Sequence, residues 1–309
     1  MEMQSTRDAY GDALVALGEK NPNIIAMDSD LSVSTQTKKF WKKYPDRFVN
    51  VGCAEQNLIG VAAGLAISGK TPFVSTYAIF LSRAWEQIRN TVAYDSLNVK
   101  MVVSHSGFTN SSDGASHQSL EDIAIMRVIP QMRVIVPSDA TETKYSVYHE
   151  ADVKGPSYIR LNREKTPVIF DDSYTFTDNV IPLSDGTDVA IFATGTMLHA
   201  ALDASFMLKR DNIACSVINV RTIKPIDKKG VLQVARKCGA VISVEEHSVI
   251  GGLGSAISDV LVSEYPVIQE KIGVQDMFGE SGDYRGLLKK HNLDPENICR
   301  IAKEIIMRK

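Results

Sequence analysis

The side chain of Glu55 occupies a place in the sequence where a carboxylate could do chemistry. The residues NVG at 50–52 have the composition of a strand end, and the run after Glu55 is rich in glycine and alanine as far as Gly69. This composition predicts a turn and then a tightly packed helix that begins at the acid and ends at Gly69. The helix dipole favours an anion in the first turn, so Glu55 is either a simple helix cap or a reactive acid.

Other polar side chains follow predicted strands at several points of the chain. His117, whose imidazole can carry protons near neutral pH, lies in the polar loop 105–118, and Arg163 follows a predicted strand. The remaining polar segments that follow strands are 28–34, 52–57 and 77–83. Loops at the carboxyl ends of parallel strands form the ligand crevice of an open α/β sheet. These segments are therefore predicted to contribute to one site.

The first half of the chain alternates between apolar strand-like runs and helical patterns. Strands are predicted over 24–27, 48–51, 71–76, 99–104, 133–136 and 157–161. Helices are predicted over 5–20, 40–44, 80–94, 120–127 and 139–153. Buried strands that alternate with helices indicate a doubly wound α/β domain with a mostly parallel sheet.

The second half repeats this organisation after a segment of different composition. Residues 166–186 hold two prolines and no helical period, so we predict domains over 1–165 and 187–309 with a linker over 166–186. Strands are predicted over 188–193, 214–218, 240–244 and 268–274, and helices over 198–210, 228–237, 253–264 and 295–308. The glycine-rich segment 245–254 is either an anion-binding turn or, as we favour, a flexible turn at a domain or subunit contact.

Composition excludes several classes of function. The 309 residues are 44% hydrophobic and 23% charged, with a net charge of −3, which describes a globular protein without an electrostatic case for nucleic acid or anionic membranes. The first residues lack the basic and apolar regions of a secretory signal, so a cytoplasmic location is expected. The four cysteines form no CxxC pair and are expected to be reduced thiols; they are Cys53, Cys215, Cys238 and Cys299.

Five motifs in order carry a resemblance to a known family. They are DSDLSVST, NVGCAEQNLIGVAAGLA, STYAIFLSRAWEQIRN, SSDGASHQSLEDIA and SYIRLNR. Together they resemble the pyrimidine-binding domain of the transketolase family of thiamine-diphosphate enzymes. The second half resembles the C-terminal domain of that family, with VINVRTIKPID and FGESG. A full transketolase is about twice as long and begins with a diphosphate-binding domain that carries GDG and a later Asn, and this sequence contains no GDG.

The resemblance implies a cofactor site. Glu55 corresponds to the acid that pairs with the N1′ nitrogen of the aminopyrimidine ring and so helps the thiazolium C2 to lose its proton. Phe80 matches the aromatic residue that stacks on this ring, Tyr77 is expected to wall the same pocket, and Asp30 matches an acid near the cofactor. Arg83 stands one turn after Phe80, where many transketolases have a second aromatic residue, and it is also expected to contact the cofactor.

The resemblance also implies a substrate site for sugar phosphates. Arg7, Ser34 and Arg163 fall where the family binds phosphate, and a guanidinium fork suits phosphate oxygens. Asp113 and His117 match an Asp-Gly-x-x-His motif that contacts the hydroxyls and carbonyl of the sugar, and His117 is also expected to be catalytic. No metal ligand is expected on this chain, because Mg²⁺ or Ca²⁺ would be held by the partner subunit.

The implied activity is transfer of a two-carbon ketol group from a ketose phosphate to an aldose phosphate, as in the pentose phosphate pathway. The chain would be the C-terminal subunit of a split transketolase, active only with an N-terminal subunit in a heterotetramer of two plus two chains. Arg83, Arg160 and the segment 245–254 also resemble deoxyxylulose-phosphate synthase. The pattern is further compatible with the beta subunit of a 2-oxo-acid dehydrogenase decarboxylase component and with a non-enzymatic paralogue.

Overall fold

The computed structural model describes residues 2–309. Its strands are β1 (Met3–Ser5), β2 (Ile24–Asp28), β3 (Phe48–Asn50), β4 (Thr71–Ser75), β5 (Lys100–Val103), β6 (Arg133–Ile135), β7 (Ser157–Arg160), β8 (Lys165–Pro167), β9 (Ile181–Pro182), β10 (Val189–Ala193), β11 (Cys215–Asn219), β12 (Thr222–Lys224), β13 (Ala240–Ser248) and β14 (Ile268–Val274).

The α-helices are α1 (Thr6–Lys20), α2 (Ser32–Thr35), α3 (Lys38–Lys43), α4 (Glu55–Ile67), α5 (Ala78–Leu81), α6 (Trp85–Gln87), α7 (Asp122–Arg127), α8 (Ala140–Asp152), α9 (Met197–Arg210), α10 (Lys228–Cys238), α11 (Leu253–Glu264), α12 (Tyr284–Lys290) and α13 (Pro295–Met307). Short 3₁₀ turns cover Pro45–Arg47 and Ser82–Ala84, and Ile88–Ala93 winds as a π-helix.

Local sequence signals explain where the main helices begin and end. The Ser5 hydroxyl accepts a hydrogen bond from the Asp8 amide and caps α1, and the Asp139 carboxylate does the same for α8 through the Glu142 amide. Gly69, with φ +84°, follows the end of α4 in the left-handed conformation that suits glycine. The helix predicted over 80–94 is instead a succession of α, 3₁₀ and π turns from Ala78 to Ala93.

Two mostly parallel sheets confirm the predicted doubly wound α/β class. The first sheet has the order β12-β6-β7-β5-β4-β2-β3, and only the β12–β6 pair is antiparallel. The second has the order β14-β13-β10-β11-β9, with only β9 antiparallel. A separate two-stranded sheet pairs β1 with β8. Helices cover the strands, so both sheets have buried, apolar interiors.

The two halves of the chain are joined by shared structure. Strand β12 belongs to the second half of the sequence but pairs with β6 at the edge of the first sheet. One apolar cluster contains Val134 of the first sheet together with Phe192 and Ile218 of the second. Residues 166–186, predicted to be a linker, supply β9 and part of β8 to the sheets. No helix within residues 2–309 is long and apolar enough to cross a membrane.

A buried carboxylate also connects the two halves. Glu142 of α8 accepts hydrogen bonds from the amide and hydroxyl of Ser138, each at 2.8 Å, and from the Tyr174 hydroxyl at 2.9 Å. It also accepts from the side-chain amide of Asn219 in β11 at 2.8 Å, and the Arg221 guanidinium lies 3.7 Å away. A buried charge with this many donors is held in one position.

We expect Glu142→Ala to destabilise the fold by roughly 3–5 kcal/mol, because it leaves the buried Arg221 charge and several donors without their partner. The measurement is the midpoint of chemical denaturation. Glu304→Ala is the control, since it removes an exposed carboxylate paired with Arg300 on α13 and should cost less than about 1 kcal/mol. Equal shifts for the two variants would contradict the role given to Glu142.

Candidate active site

The candidate residues lie mainly on loops at the carboxyl edge of the first sheet. Strand β3 lies on one side of β2 and strand β4 lies on the other, so the order in which the chain adds strands reverses between β2 and β4. Ligand crevices of open α/β sheets form at such points. Asp30 follows β2, Glu55 follows β3, Tyr77 and Phe80 follow β4, His117 lies in the loop after β5, and Arg163 follows β7.

Hydrogen bonds of the Asp28 carboxylate order the loop that carries Asp30 and Ser34. Asp28 ends β2, and its buried carboxylate accepts hydrogen bonds from the Leu31 amide and from the hydroxyls of Thr35 and Thr37. Burial raises the pKa of this carboxyl to about 6, while these donors act in the opposite direction. The loop is therefore fixed from inside the protein, which leaves Asp30 exposed at its start and Ser34 half-buried.

Asn50 links this loop to the turn before Glu55. Its side-chain oxygen accepts hydrogen bonds from the Asp30 amide and the Gly52 amide, each at 3.0 Å. Its amide group donates to the Asp30 carboxylate at 3.2 Å. Asp30 is thus positioned beside the turn that leads to Glu55, although it contacts none of the other predicted site residues.

Positive charge collects at one end of the site. The first turn of α1 is tied to the end of β7, because the Thr6 hydroxyl donates to the Asn162 side chain at 3.0 Å and accepts from the Asn162 amide at 2.9 Å. This link brings Arg7 and Arg163 into the same region. Arg7 Nη1 donates to the Ser34 carbonyl oxygen at 3.0 Å, and its buried Nε has no protein partner among residues 2–309.

His105 lies among these cations, and the sequence pattern did not predict it as a site residue. Its Nε2 is 3.4 Å from Arg7 Nη1, and its Nδ1 is 2.8 Å from the Ser104 hydroxyl. Burial, followed by the positive charges of Arg7 and Arg163, lowers the pKa of His105 to about 3, so the imidazole is neutral at pH 7. Its place directly after a buried strand, like that of Tyr77, was the available signal.

A row of rings extends from His105 across the site. His105 stacks on Tyr77 with ring centroids 3.8 Å apart, and Tyr77 stacks on Phe80 at 5.2 Å. The imidazole of His117 then meets Phe80 edge to face at 5.3 Å. Tyr77, Phe80 and His117 are each partly exposed, so this row forms one wall of the crevice. Three of the predicted residues are thereby brought together.

Glu55 is the first residue of α4, and its side chain points into a protected position. It is 7% exposed, and no hydrogen bond to its carboxylate is formed among residues 2–309. The nearest charge is Arg83 Nε at 3.8 Å, on a side chain that is 74% exposed and follows Phe80 by one turn. A pair with such an exposed partner contributes little energy. A carboxylate that is nearly buried and lacks a protein donor has free capacity for a ligand donor.

The Asp113 carboxylate and the Ser34 hydroxyl form no hydrogen bond with the other predicted site residues within residues 2–309. Asp113 is exposed, and its carboxylate contacts only the neighbouring Ser112 hydroxyl, at 3.3 Å. Ser34 contacts Arg7 through its backbone carbonyl rather than its hydroxyl. Within residues 2–309 there is no cluster of three or more His, Cys, Asp or Glu residues that could hold a metal ion.

The residues that are present fit an aminopyrimidine and a phosphorylated ligand. The free carboxylate of Glu55 can pair with a protonated ring nitrogen, and the partly exposed ring of Phe80 offers apolar surface to a flat ring. The exposed guanidinium of Arg163 can donate to anionic oxygens, and the nearby Arg7 adds positive charge.

The chain belongs to the transketolase family, whose members depend on thiamine diphosphate. Residues 2–168 match the family model "Transketolase, pyrimidine binding domain", and residues 178–298 match "Transketolase, C-terminal domain". The predicted resemblance is thereby confirmed.

Relatives of the same length are separate chains with transketolase names. A transketolase C-terminal section of Methanocaldococcus jannaschii is 46% identical over 97% of this chain and 96% of its own length. A 6-deoxy-6-sulfo-D-fructose transketolase subunit of Clostridium sp. is 42% identical over 100% of this chain and 97% of its own length. By contrast, the transketolase of Rattus norvegicus is 38% identical over 98% of this chain but only 49% of its own length.

A solved structure agrees with this comparison. A split-gene transketolase, described as an inactive beta4 tetramer, matches with a TM-score of 0.92 and 47% identity over 98% of both chains. The transketolase of Leishmania mexicana, at 23% identity and a TM-score of 0.86, shares the fold over all of this chain and 46% of its own. The transketolase class is thus favoured over the 2-oxo-acid dehydrogenase and deoxyxylulose-phosphate synthase classes.

We expect His105→Gln to make stability less sensitive to acid. The folded-state pKa of His105 is about 3 and its ordinary value is 6.5, so between these values the unfolded chain binds a proton that the folded chain does not. Stability therefore falls as the pH falls through this window, by roughly 1.4 kcal/mol per pH unit for one proton. Chemical denaturation at pH 6.5 and pH 4.5 measures this dependence.

The control for this experiment is Ser104→Ala, which removes the hydroxyl beside Nδ1 but keeps the imidazole. Its dependence on pH should stay close to that of the wild type. If His105→Gln has the same dependence as the wild type, the imidazole is not held neutral by its surroundings.

Proposed function

We propose that this chain is the C-terminal subunit of a split transketolase that transfers a two-carbon ketol group between a ketose phosphate and an aldose phosphate. The observation that carries the proposal is length. The chain matches separate transketolase sections and subunits end to end, but only about half of single-chain transketolases. The domain limits predicted above, 1–165 and 187–309, describe the two functional halves of this subunit.

Thiamine diphosphate, when bound, supplies the acidic C2 carbon to which the transferred group attaches. In our proposal Glu55 holds a proton at N1′ of the aminopyrimidine, which its low exposure and free hydrogen-bonding capacity favour. Phe80 packs against the ring and Tyr77 supports Phe80 from behind by stacking. We further propose that Arg83 and Asp30 border the cofactor; Arg83 lies beside Glu55, and Asp30 accepts a hydrogen bond from Asn50 before the turn that leads to Glu55.

The sugar phosphate is proposed to lie along the row of rings. Arg7 and Arg163 bind the phosphate, and Ser34 completes this end of the site through the carbonyl that holds Arg7. His117, which meets the edge of Phe80, moves protons on the sugar carbonyl and hydroxyls, and Asp113 contacts a hydroxyl. His105 is neutral and can therefore accept or donate a hydrogen bond without adding charge.

The partner is proposed to be an N-terminal subunit with the diphosphate-binding domain and the ligands for Mg²⁺ or Ca²⁺. Two of each chain would form the active cytoplasmic heterotetramer. The split-gene relative that is described as an inactive beta4 tetramer supports the idea that a C-terminal chain alone lacks activity. Relatives named for a sulfo-fructose and for apulose 4-phosphate show that sugar preference differs among such subunits, so it has to be measured.

The proposal is tested by turnover of xylulose 5-phosphate with ribose 5-phosphate, thiamine diphosphate and Mg²⁺. This chain should be inactive alone and active when mixed with a partner that carries GDG and the later Asn. Decarboxylation of a 2-oxo acid without sugar turnover would instead indicate a 2-oxo-acid dehydrogenase subunit.

Glu55→Ala should reduce turnover by roughly 10²–10⁴-fold, the usual size of a proton-transfer contribution, without changing assembly. Turnover and calorimetric binding of thiamine diphosphate are measured on the mixed complex. Glu86→Ala is the control, because Glu86 is an exposed acid on the neighbouring helix α6. Turnover of Glu55→Ala within a few-fold of wild type would refute its assignment.

Arg163→Gln should raise the KM for phosphorylated sugars by roughly 10- to 100-fold, with a smaller fall in kcat. This factor corresponds to the free energy that hydrogen bonds to a charged group contribute to binding. The same sugars without phosphate should be used with equal efficiency by variant and wild type. Lys165→Gln removes an exposed cation two residues away and serves as the control. An unchanged KM in Arg163→Gln would make Arg163 a structural residue.

A further inference from the structure

The loop that carries Asp113 and His117 is held by the second half of the chain. This loop, residues 106–119, follows β5 and has no regular secondary structure of its own. We call it the 106–119 loop. A free loop of this length would lose much conformational entropy on binding a sugar. What fixes it therefore decides how well its polar side chains can act.

Glu246 of β13 holds the beginning of the loop. Its side chain is 4% exposed, and its Oε1 accepts a hydrogen bond of 2.6 Å from the Phe108 amide. Its Oε2 accepts from the Tyr284 hydroxyl at 2.8 Å and from the Thr196 hydroxyl at 3.1 Å. Both carboxylate oxygens are thus used, one for the loop and the other for the second domain.

The close approach of Glu246 requires a glycine in the loop. Gly107 has φ +61°, and a Cβ added there would lie 2.3 Å from Glu246 Oε1. Any larger residue would displace either the backbone or the carboxylate. The contact therefore requires both an acid on β13 and a glycine at the start of the loop.

This contact fills the place where the second sheet would be expected to bind a ligand. From β10 the chain goes to β11 on one side and later to β13 on the other, so the crevice lies between β10 and β13. Thr196 follows β10, and Glu246 lies near the end of β13. The Thr196 hydroxyl donates to the Glu246 carboxylate, and the Phe108 amide of the 106–119 loop donates to its other oxygen. The loop therefore takes the position that a ligand would have in this crevice.

The segment FGESG, residues 278–282, holds the rest of the loop. The Gly282 amide donates to the Ser111 carbonyl at 3.0 Å, before Asp113. The Gln118 side chain donates to the Glu280 carbonyl at 2.9 Å, just after His117. A Cβ on Gly114 would lie 2.6 Å from the Ser281 hydroxyl, so the two backbones pass closely between these bonds.

We propose that the C-terminal domain uses its own ligand crevice to position the 106–119 loop for the sugar substrate, with Glu246 as the main positioning residue. The inference rests on the proposed function, which assigns Asp113 and His117 to the sugar. A displacement of about 1 Å in such groups costs as much as 10²-fold in rate. The proposed cofactor residues Glu55 and Phe80 lie in α4 and α5, outside the loop, so cofactor binding should depend on this contact less than sugar binding does.

The test compares Glu246→Ala, Glu246→Gln and Glu245→Ala in the complex with the N-terminal subunit. Glu245 is the matched control: it is the adjacent buried acid, but it accepts hydrogen bonds from the amides of Leu253 and Gly254 and does not contact the loop. Three properties are measured, namely hydrogen–deuterium exchange of the 106–119 amides, sugar KM and kcat, and thiamine diphosphate affinity.

We expect Glu246→Ala to accelerate amide exchange in the 106–119 loop at least tenfold and to raise sugar KM by roughly tenfold or more. Cofactor affinity should change much less, because within residues 2–309 only the Phe80–His117 ring contact links the loop to the proposed cofactor residues. Glu246→Gln should largely restore both properties, because its amide oxygen can still accept from the Phe108 amide. Glu245→Ala should lower the melting temperature without these effects.

Two results would overturn the inference. Equal loop exchange in Glu246→Ala and Glu245→Ala would show that Glu246 does not hold the loop. Faster exchange with unchanged sugar KM would show that the held loop does not position substrate. If Glu246→Ala does not fold, Gln118→Leu removes the donor to Glu280 at the other end of the loop and should give the same pattern. If the wild-type complex fails to turn over sugars, the proposed function fails, while the exchange data still decide whether Glu246 holds the loop.

Discussion

The buried guanidinium of Arg160 is the interaction on which the arrangement of the site depends. Its Nε donates to the Asp122 carboxylate at 2.7 Å, and its Nη2 donates to the carbonyls of Ser119 and Glu246. Burial opposes the charge of Arg160, but Asp122 more than compensates and raises its pKa. One side chain at the end of β7 therefore joins the end of the 106–119 loop, the start of α7 and strand β13. Removing either charge would leave the other buried without a partner.

The site separates its charges along the carboxyl edge of the first sheet. Arg7 and Arg163 lie near His105, at the start of α1 and after β7, and the Glu55 carboxylate after β3 lies beside Arg83. The rings that extend from His105 are those of Tyr77, Phe80 and His117. Because His105 is neutral among the cations, it does not add to their mutual repulsion.

The second half of the chain is joined to the domain that carries these loops by strand pairing, apolar packing and hydrogen bonds. Strand β12 covers the β6 edge of the first sheet, which protects it from pairing with other chains. Glu142 and Arg160 make polar connections across the same boundary, and an apolar cluster continues through it. Glu246, near the crevice of the second sheet, accepts a hydrogen bond from the 106–119 loop, so the second half of the chain holds a loop of the first half.

Local patterning in the sequence was sufficient to predict most strands and helices, the mostly parallel sheets and the family. Glu55, Phe80 and His117 became candidate site residues through short motifs that resemble the transketolase family, because each motif lies within a few residues along the chain. The small residues after Glu55 likewise indicate its helix, and the structure confirms that the helix begins at this acid.

Only the tertiary structure decided the features that depend on distant partners. Strand β12 is three residues long and next to a proline, so its pairing with β6 has no periodic signal, and α12 is similarly short. The pKa of His105 is lowered in part by Arg7 and Arg163, which lie far from it in sequence. Glu246 likewise accepts a hydrogen bond from Phe108, which is distant along the chain. Periodicity reports which side of an element is buried, but not which distant residue meets it there. For that reason the sequence determined the secondary-structure elements and the position of Glu55, and the packing of the two halves determined how the 106–119 loop is held.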